Sequence, residues 1–183
     1  MITRTKENVQ SKTIQKAVLC VLFIAAGLVL PMGFHRLGLG TAFLPMHIPV
    51  FIGALVCGPW FGVIGALCTV SLSCVLTGMP PVFPVGVCMM VELAVYAGVS
   101  AGIMERRKYR ISSLYMALAA GIVAGRIANG LANAAAAAFS GGQYSLSSFW
   151  EGTVVATVPG TILLLCIVPG IVYAIERVLK FHD

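Results

Sequence analysis

Hydrophobic residues are gathered into six long segments, and most polar residues lie in the short stretches between them. A membrane-spanning helix needs about 20 mainly apolar residues, and a shorter one is tolerated where its neighbours bury it. The pattern predicts an all-α integral membrane protein, a compact bundle of six transmembrane helices formed by residues 13–180 after a polar segment, 1–12. The six segments are Thr13–Leu30, Ala42–Val56, Trp60–Leu76, Pro84–Met104, Ser113–Phe139 and Phe149–Leu179.

Prolines mark where these helices are expected to end or bend. The first segment is expected to stop at Pro31. The second is short and contains Pro45 and Pro49, so we expect an irregular start and burial by protein, because irregular backbone is not tolerated against lipid. The sixth is long enough to overshoot the bilayer, and we expect it to kink or break at Pro159–Gly160 and Pro169–Gly170.

Small residues recur at four-residue spacing along several segments. They include the pairs Gly58/Gly62, Ala97/Ala101, Gly98/Gly102 and Gly121/Gly125. Such spacing lets membrane helices approach closely. We interpret most of these pairs as packing contacts within the bundle.

The composition and charge agree with a membrane protein. The chain has 183 residues, of which 59% are hydrophobic and 10% charged, whereas a soluble domain has roughly 25% charged residues. The net charge of +6 does not form a nucleic-acid face, because the basic residues flank apolar segments. Six spans with both termini inside would make ten of them cytoplasmic, as the positive-inside rule requires. These are Arg4, Lys6, Lys12, Lys16, Arg106, Arg107, Lys108, Arg110, Arg177 and Lys180.

Glu92 and Arg126 are ionisable residues in the middle of apolar segments. Such residues are costly in a bilayer, so they usually face a bundle interior or a water-filled cavity. Glu92 is expected about 12 Å below the outer end of its helix, and Arg126, Asn129 and Asn133 about 20, 15 and 9 Å below the outer end of theirs. Spacings of three and four place the last three residues on one helix face. Tyr96 is one turn below Glu92.

Three interpretations of this polar stripe are open. Glu92 and Arg126 form a structural ion pair that clamps two helices, or the stripe is a binding site that opens outward, or it is a proton or ion relay. The amides of Asn129 and Asn133 extend the charged pair and favour binding, which predicts an occluded outward cavity lined by the four residues. The relay has the least support, since there is one carboxylate without a chain of partners.

Three further residues are candidates for the same site. His47, between two prolines at the start of the second segment, is either structural or a ligand contact. Trp150 and Glu151 open the sixth segment, where they either contact a ligand or serve as an interfacial anchor and a favourable charge at a helix N-terminus. Ser147 or Ser148 is expected to cap that helix.

The outward connection between the third and fourth segments is short, apolar and rich in proline. Because proline excludes a helix interior, we expect a rigid lid packed against the protein. Its residues are Gly78, Met79, Pro80 and Pro81.

No sequence feature indicates an enzyme, a cofactor or a metal. No nucleophile has a recognisable base, and phosphate-loop and metalloprotease motifs are absent. The six cysteines form no CxxC pair and are interpreted as packing residues.

Two stretches, FLPMHIPVFIGALVCGPWFGVIGAL and LTGMPPVFPVGVCMMVELAVYAGVSAG, resemble the substrate-binding S component of energy-coupling factor (ECF) vitamin transporters. The resemblance extends over nearly the whole chain. It implies six helices and a multi-pass location in a bacterial cytoplasmic membrane. It also implies tight binding of a water-soluble vitamin or related micronutrient from outside, in the outer half of the bundle.

The resemblance also implies partners. S components associate with a membrane coupling protein and two cytoplasmic ATPases, and small residues on the first helix help this docking. The matching positions are Ala17, Val21 and Ala25, where Val21 departs from the small-residue pattern. A B6 vitamer, pantothenate, a thiamine precursor and a queuosine precursor are the candidate substrates, and a neutral ligand fits if Glu92 and Arg126 neutralise each other. There are two alternatives to a transporter subunit: a protein with a structural or assembly role, and a solitary energy-independent carrier.

Overall fold

Helices account for nearly all of the backbone. A computed structural model describes residues 2–36, 43–107 and 109–179, with side chains described in 10–34, 43–107 and 109–179. No strand occurs in these ranges, as the sequence predicts. The helices are α1 (Ile2–Arg36), α2 (His47–Cys57), α3 (Pro59–Thr77), α4 (Val87–Glu105), α5 (Ile111–Phe139), α6 (Leu146–Phe149) and α7 (Val158–Leu179).

Within the described residues, five helical stretches are long and apolar enough to cross a membrane. They are Gln10–Phe34, Pro59–Thr77, Val82–Glu105, Ile111–Phe139 and Leu146–Leu179. The second predicted segment supplies the shorter helix α2. The prediction of an all-α, multi-pass membrane bundle is therefore confirmed.

Helix α2 occupies the centre of the bundle. It has 11 residues, and all of them except Ile48 are buried. It packs against α1, α3, α4 and α7, so its short length leaves no backbone facing lipid. The expectation that this weak segment is buried by protein is confirmed, and its burial explains why so few residues suffice.

The first helix does not end at Pro31, so that expectation is wrong. Helix α1 continues through Pro31 to Arg36. Proline removes the hydrogen bond to the carbonyl four residues earlier, that of Gly27. Membrane helices absorb this loss where tertiary packing holds them. Here Pro31 is buried, and Gly27 lies so close to α3 that an added Cβ would be 2.6 Å from Cγ2 of Thr69.

The sixth segment is interrupted, but before its prolines. Helix α6 passes into a π-helical turn, Trp150–Val154, then a 3-10 turn, Val155–Thr157, and only then into α7. Pro159 lies in the first turn of α7, where its ring would crowd the carbonyl of Val155, so the irregular geometry falls on the residues preceding it. Of the kink or break predicted at Pro169–Gly170, the break does not occur, since α7 continues through Pro169. The N-cap is Ser145, whose Oγ accepts from the backbone N–H of Ser148 at 3.2 Å, rather than Ser147 or Ser148.

The junction between α2 and α3 depends on glycine. Gly58 has φ = +97°, which places it in a region that favours glycine, and it lets the chain reverse directly from α2 into Pro59. One turn later, an added Cβ on Gly62 would be 2.6 Å from Cβ and 2.7 Å from Cα of Ala54. The two helices therefore touch backbone to backbone, as the Gly58/Gly62 spacing predicts.

Replacing Gly62 by alanine is expected to destabilise the protein by about 1–3 kcal/mol, because the obstructing atom is backbone and cannot rotate away. Gly102→Ala is the matched control, since an added Cβ there meets nothing within 4 Å. The measurement is denaturant unfolding of both variants in detergent micelles. Equal stability of the two variants would contradict the close approach.

Candidate functional site

Glu92 lies at the centre of a buried polar cluster. Its side chain, on α4, is 5% exposed. Oε1 accepts hydrogen bonds from the hydroxyl of Tyr96 and from Nη1 of Arg126, each at 2.8 Å, and Oε2 accepts one from Nδ2 of Asn129 at 2.8 Å. Three donors from α4 and α5 therefore hold one carboxylate, an arrangement that offsets the cost of burying its charge.

Arg126 connects the cluster to the sixth segment. Its Nη2 donates to Oγ1 of Thr157 at 2.7 Å, and this hydroxyl in turn donates to the carbonyl of Thr153 at 2.7 Å. Arg126 thus joins α4, α5 and the 3-10 turn before α7. We call Glu92, Tyr96, Arg126, Asn129 and Thr157 the Glu92 cluster.

Asn133 is attached to the edge of the cluster. Its Nδ2 donates to the backbone carbonyl and to Oδ1 of Asn129, both at 2.9 Å, and no hydrogen bond joins it to Glu92. Thr153 approaches the same Oδ1 at 3.4 Å. The structure therefore brings Arg126 and Asn129 into direct contact with Glu92. Asn133 is linked to Glu92 through Asn129.

Close packing fixes the position of the Tyr96 ring. An added Cβ on Gly125 would lie 2.5 Å from the ring, which also packs on Phe51 with 4.9 Å between centroids. Tyr96 is 1% exposed. The ring has no room to rotate, so its hydroxyl is held on Glu92. This close approach gives the predicted Gly121/Gly125 spacing a role in positioning the cluster.

His47 lies at the edge of the Glu92 cluster. It begins α2 and is 2% exposed. Its Nε2 is 4.0 Å from Oε2 of Glu92, and its ring meets that of Tyr96 edge to face at 5.5 Å. Neither ring nitrogen has a hydrogen-bond partner among the described residues. A buried polar group without a partner is costly, so His47 retains unused hydrogen-bonding capacity.

A cavity of about 640 Å³ opens beside His47. It lies at the end of the bundle where α1 and α3 end and α2 begins, which we call the loop end. Eleven of the fifteen described residues in its wall are apolar, and the polar side chains among them are His47, Ser73 and Thr77. All four residues of the predicted lid, Gly78–Pro81, line it.

The lid is anchored on the last two turns of α3. Oγ of Ser73 donates to the carbonyl of Met79 at 2.7 Å, and Oγ1 of Thr77 donates to the same carbonyl at 3.0 Å. Gly78 has φ = +68° and permits the sharp departure from α3. Ser73 and Thr77 are not among the residues predicted from the sequence. The sequence signal for them is that they are four residues apart, so they share one helix face, and that Thr77 directly precedes Gly78.

The remaining predicted binding residues lie elsewhere. Among the described residues, Glu92, Arg126, Asn129 and Asn133 do not line this cavity. The cavity predicted around those four is therefore not the one found beside His47. Trp150 and Glu151 are both exposed, Trp150 by 59%, and neither belongs to this wall.

The three predicted docking residues lie along α1. Val21 and Ala25 are exposed, and Ala17 is half-buried at the edge of the same face. Large apolar residues continue this exposed face along the helix. They are Ile14, Val18, Leu22 and Val29.

Comparison with known proteins identifies the family. The family model for the substrate-specific component of ECF transporters matches residues 15–175, which include α2 to α6 and most of α1 and α7. No curated protein and no solved structure matches the chain. The chain is accordingly not an enzyme but a member of the ECF transporter substrate-specific components.

Proposed function

We propose that this protein binds a compact water-soluble vitamin or vitamin precursor from outside a bacterial cytoplasmic membrane. It would deliver that substrate to an importer whose coupling protein and two ATPases are separate chains. Membership of the family supports this role. The observation that carries the proposed binding site is the cavity beside His47, because its volume lies within the range of small-molecule sites, about 300–1,000 Å³.

The distribution of basic residues supports an outward-facing cavity. Arg106, Arg107 and Arg110 lie between α4 and α5, and Arg177 lies in the last turn of α7. These positions are all at the end of the bundle opposite the cavity. With that end cytoplasmic, the cavity and its lid face the side from which nutrients arrive.

Within this proposal, His47 contacts the substrate directly. The Glu92 cluster lies behind His47 and holds α4, α5 and the sixth segment together. This division replaces the site predicted around Glu92, Arg126, Asn129 and Asn133. A clamp role for the cluster is favoured because the opposite charges of Glu92 and Arg126 are 2.8 Å apart and neutralise each other. The proposed binding site does not include Trp150 or Glu151.

Blocking the cavity tests the proposed site. Met89 lines the cavity, and Met89→Trp is expected to weaken substrate binding by at least about tenfold because the larger side chain fills the space. Val123→Trp is the control, since Val123 is 59% exposed on α5. Binding is measured as the ligand-induced rise in melting temperature of the detergent-purified protein across a panel of vitamins and precursors. Unchanged binding by Met89→Trp would place the site elsewhere, and a panel without any binder would contradict the proposed function.

Loosening the lid is expected to speed substrate release. Ser73→Ala removes one of the two hydroxyls that hold the Met79 carbonyl, and the loss of about 1 kcal/mol predicts release about fivefold faster. Ser71→Ala is the control, because Ser71 is exposed on the same helix and its hydroxyl donates to the sulfur of Met90, at 3.8 Å, rather than to the lid. Release rates are measured by filter binding with a radiolabelled substrate. Equal rates in both variants would show that Gly78–Pro81 do not retain the substrate.

A further inference from the structure

We infer that the connection between α4 and α5 is a binding site for an anionic phospholipid. Its phosphate is bound by Arg106, Arg107 and Arg110, which we call the arginine patch, and its acyl chains lie along the exposed side of α5. The patch lies at the end of the bundle opposite the cavity. The inference therefore goes beyond the proposed function and does not depend on the identity of the substrate.

The arginine patch concentrates positive charge that has no partner in the protein. Its three side chains are exposed within a stretch of five residues. None of them forms an ion pair with another described residue, although Glu105 is exposed beside them. The planar guanidinium group donates two parallel hydrogen bonds to phosphate oxygens, which makes arginine a preferred phosphate ligand. The patch therefore offers several unused donors to one phosphate.

Arg110 lies where the helix itself disfavours a cation. It directly precedes the first turn of α5, in which there is no acidic residue, and no side chain caps that end. The N-terminal end of a helix is already positive, so a second positive charge there is unfavourable. The positive-inside rule calls for basic residues in this connection but not at this position. A bound anion beside Arg110 removes the conflict.

The connection that carries the patch is short and fixed in position. The backbone N–H groups of Arg106 and Arg107 donate to carbonyls in the last turn of α4, at 3.3 and 3.2 Å. Tyr109 packs against the core, and both burial and the nearby carboxylate of Glu176 on α7 raise its pKa. The Cα atoms of Arg107 and Arg110 are within about 11 Å of each other. Both long side chains can therefore reach one phosphate.

Beside the patch, α5 presents an apolar side to the membrane. Ile111, Tyr115, Ala119 and Val123 are all exposed. They are spaced by four residues, so each is the neighbour of the next, and together they form a continuous stripe. The stripe begins at the residue that follows Arg110. A headgroup on the patch would therefore have its acyl chains against this stripe.

The position of the patch favours a lipid over a protein partner. Helix α1, whose exposed face we propose for docking of the coupling protein, packs against α2 and α3, whereas α5 packs against α4 and α7. The patch is thus joined to a lipid-facing side of the bundle. Each basic residue near an anionic membrane surface increases affinity about fivefold.

Native mass spectrometry of the detergent-purified full chain tests the site, with phosphatidylglycerol and phosphatidylcholine as probes. Phosphatidylglycerol is expected to bind at least about tenfold more tightly. Arg110→Gln is expected to weaken its binding about fivefold, and Arg107→Gln/Arg110→Gln more than about tenfold, without a change for phosphatidylcholine. The control is Lys12→Gln, which removes one exposed charge at the same end of the bundle, on α1. It is expected to weaken binding less than about twofold, because Lys12 lies outside the patch. Melting temperatures without lipid show whether the variants fold.

Four results would overturn the inference. Equal losses in Arg110→Gln and Lys12→Gln would show a diffuse attraction to surface charge rather than a site. Equal affinity for the two lipids would remove the role of the anionic headgroup. Displacement of phosphatidylglycerol by an equal concentration of glycerol 3-phosphate would remove the role of the acyl chains. A double variant that retains lipid binding but no longer co-purifies with the coupling protein would assign the patch to a protein partner.

Discussion

Replacing Arg126 by methionine is expected to destabilise the folded protein by about 3–5 kcal/mol, because it leaves the Glu92 carboxylate buried without its counter-ion. Methionine is similar in length, so the packing between α4 and α5 is largely retained. The lost contacts are the hydrogen bonds to Glu92 and Thr157. The free energy of unfolding is measured by circular dichroism during denaturant titration in detergent micelles, without added ligand.

The double variant Glu92→Gln/Arg126→Met provides the control. It removes both charges and keeps an amide that Tyr96 and Asn129 can still contact. It is therefore expected to be more stable than Arg126→Met alone, although it carries one more substitution. If the double variant loses as much free energy of unfolding as the two single variants together, the pair is not coupled. The clamp role would then be rejected.

Adding a large side chain to the exposed face of α1 is expected to abolish transport while leaving substrate binding unchanged. Ala25→Trp places a large ring on the face that we propose for docking of the coupling protein. Close docking does not accommodate that volume, and an overpacking cost above 1.4 kcal/mol corresponds to a loss of more than about tenfold in association. The measurements are uptake of labelled substrate in cells that express the coupling protein and both ATPases, and co-purification of the complex.

The control for docking is a tryptophan on another exposed helix. Ile127 is 56% exposed on α5, and Ile127→Trp is expected to support normal uptake. Both variants are expected to bind substrate as the unmodified protein does, since neither residue lines the cavity. Normal uptake by Ala25→Trp would exclude this face as the docking surface. Lost uptake in both variants would show that the effect is not specific to α1.

Features that depend on one segment were predicted from the sequence. The bounds of α3, α4 and α5 differ from the predicted apolar segments by only a few residues, because the length of an apolar run and its flanking polar residues determine a membrane helix. The rise of a helix also placed Glu92 level with the residues between Arg126 and Asn133. The contact of Glu92 with Asn129 is consistent with that level.

Features that depend on several segments were not predicted. Helical rise gives the depth of a residue but not the rotation of its helix relative to its neighbours. The rotation that brings Glu92 into contact with Arg126 and Asn129 was therefore not predictable, and neither was the cavity formed around the start of α2 and the lid. The lining of a cavity by the polar stripe stays a prediction. The π-helical turn that begins at Trp150 was not predicted either, and the exposure of Trp150 agrees with the interfacial-anchor alternative.

The separation of the cavity from the Glu92 cluster has a consequence for how such a protein diversifies. The described cavity wall comes mainly from α1, α3, the segment before α2 and the lid, whereas the cluster joins α4, α5 and the turn before α7. His47 lies beside both. Mutations that reshape the wall therefore leave the main buried charge pair intact, so new substrate preferences can be acquired during evolution at little risk to folding.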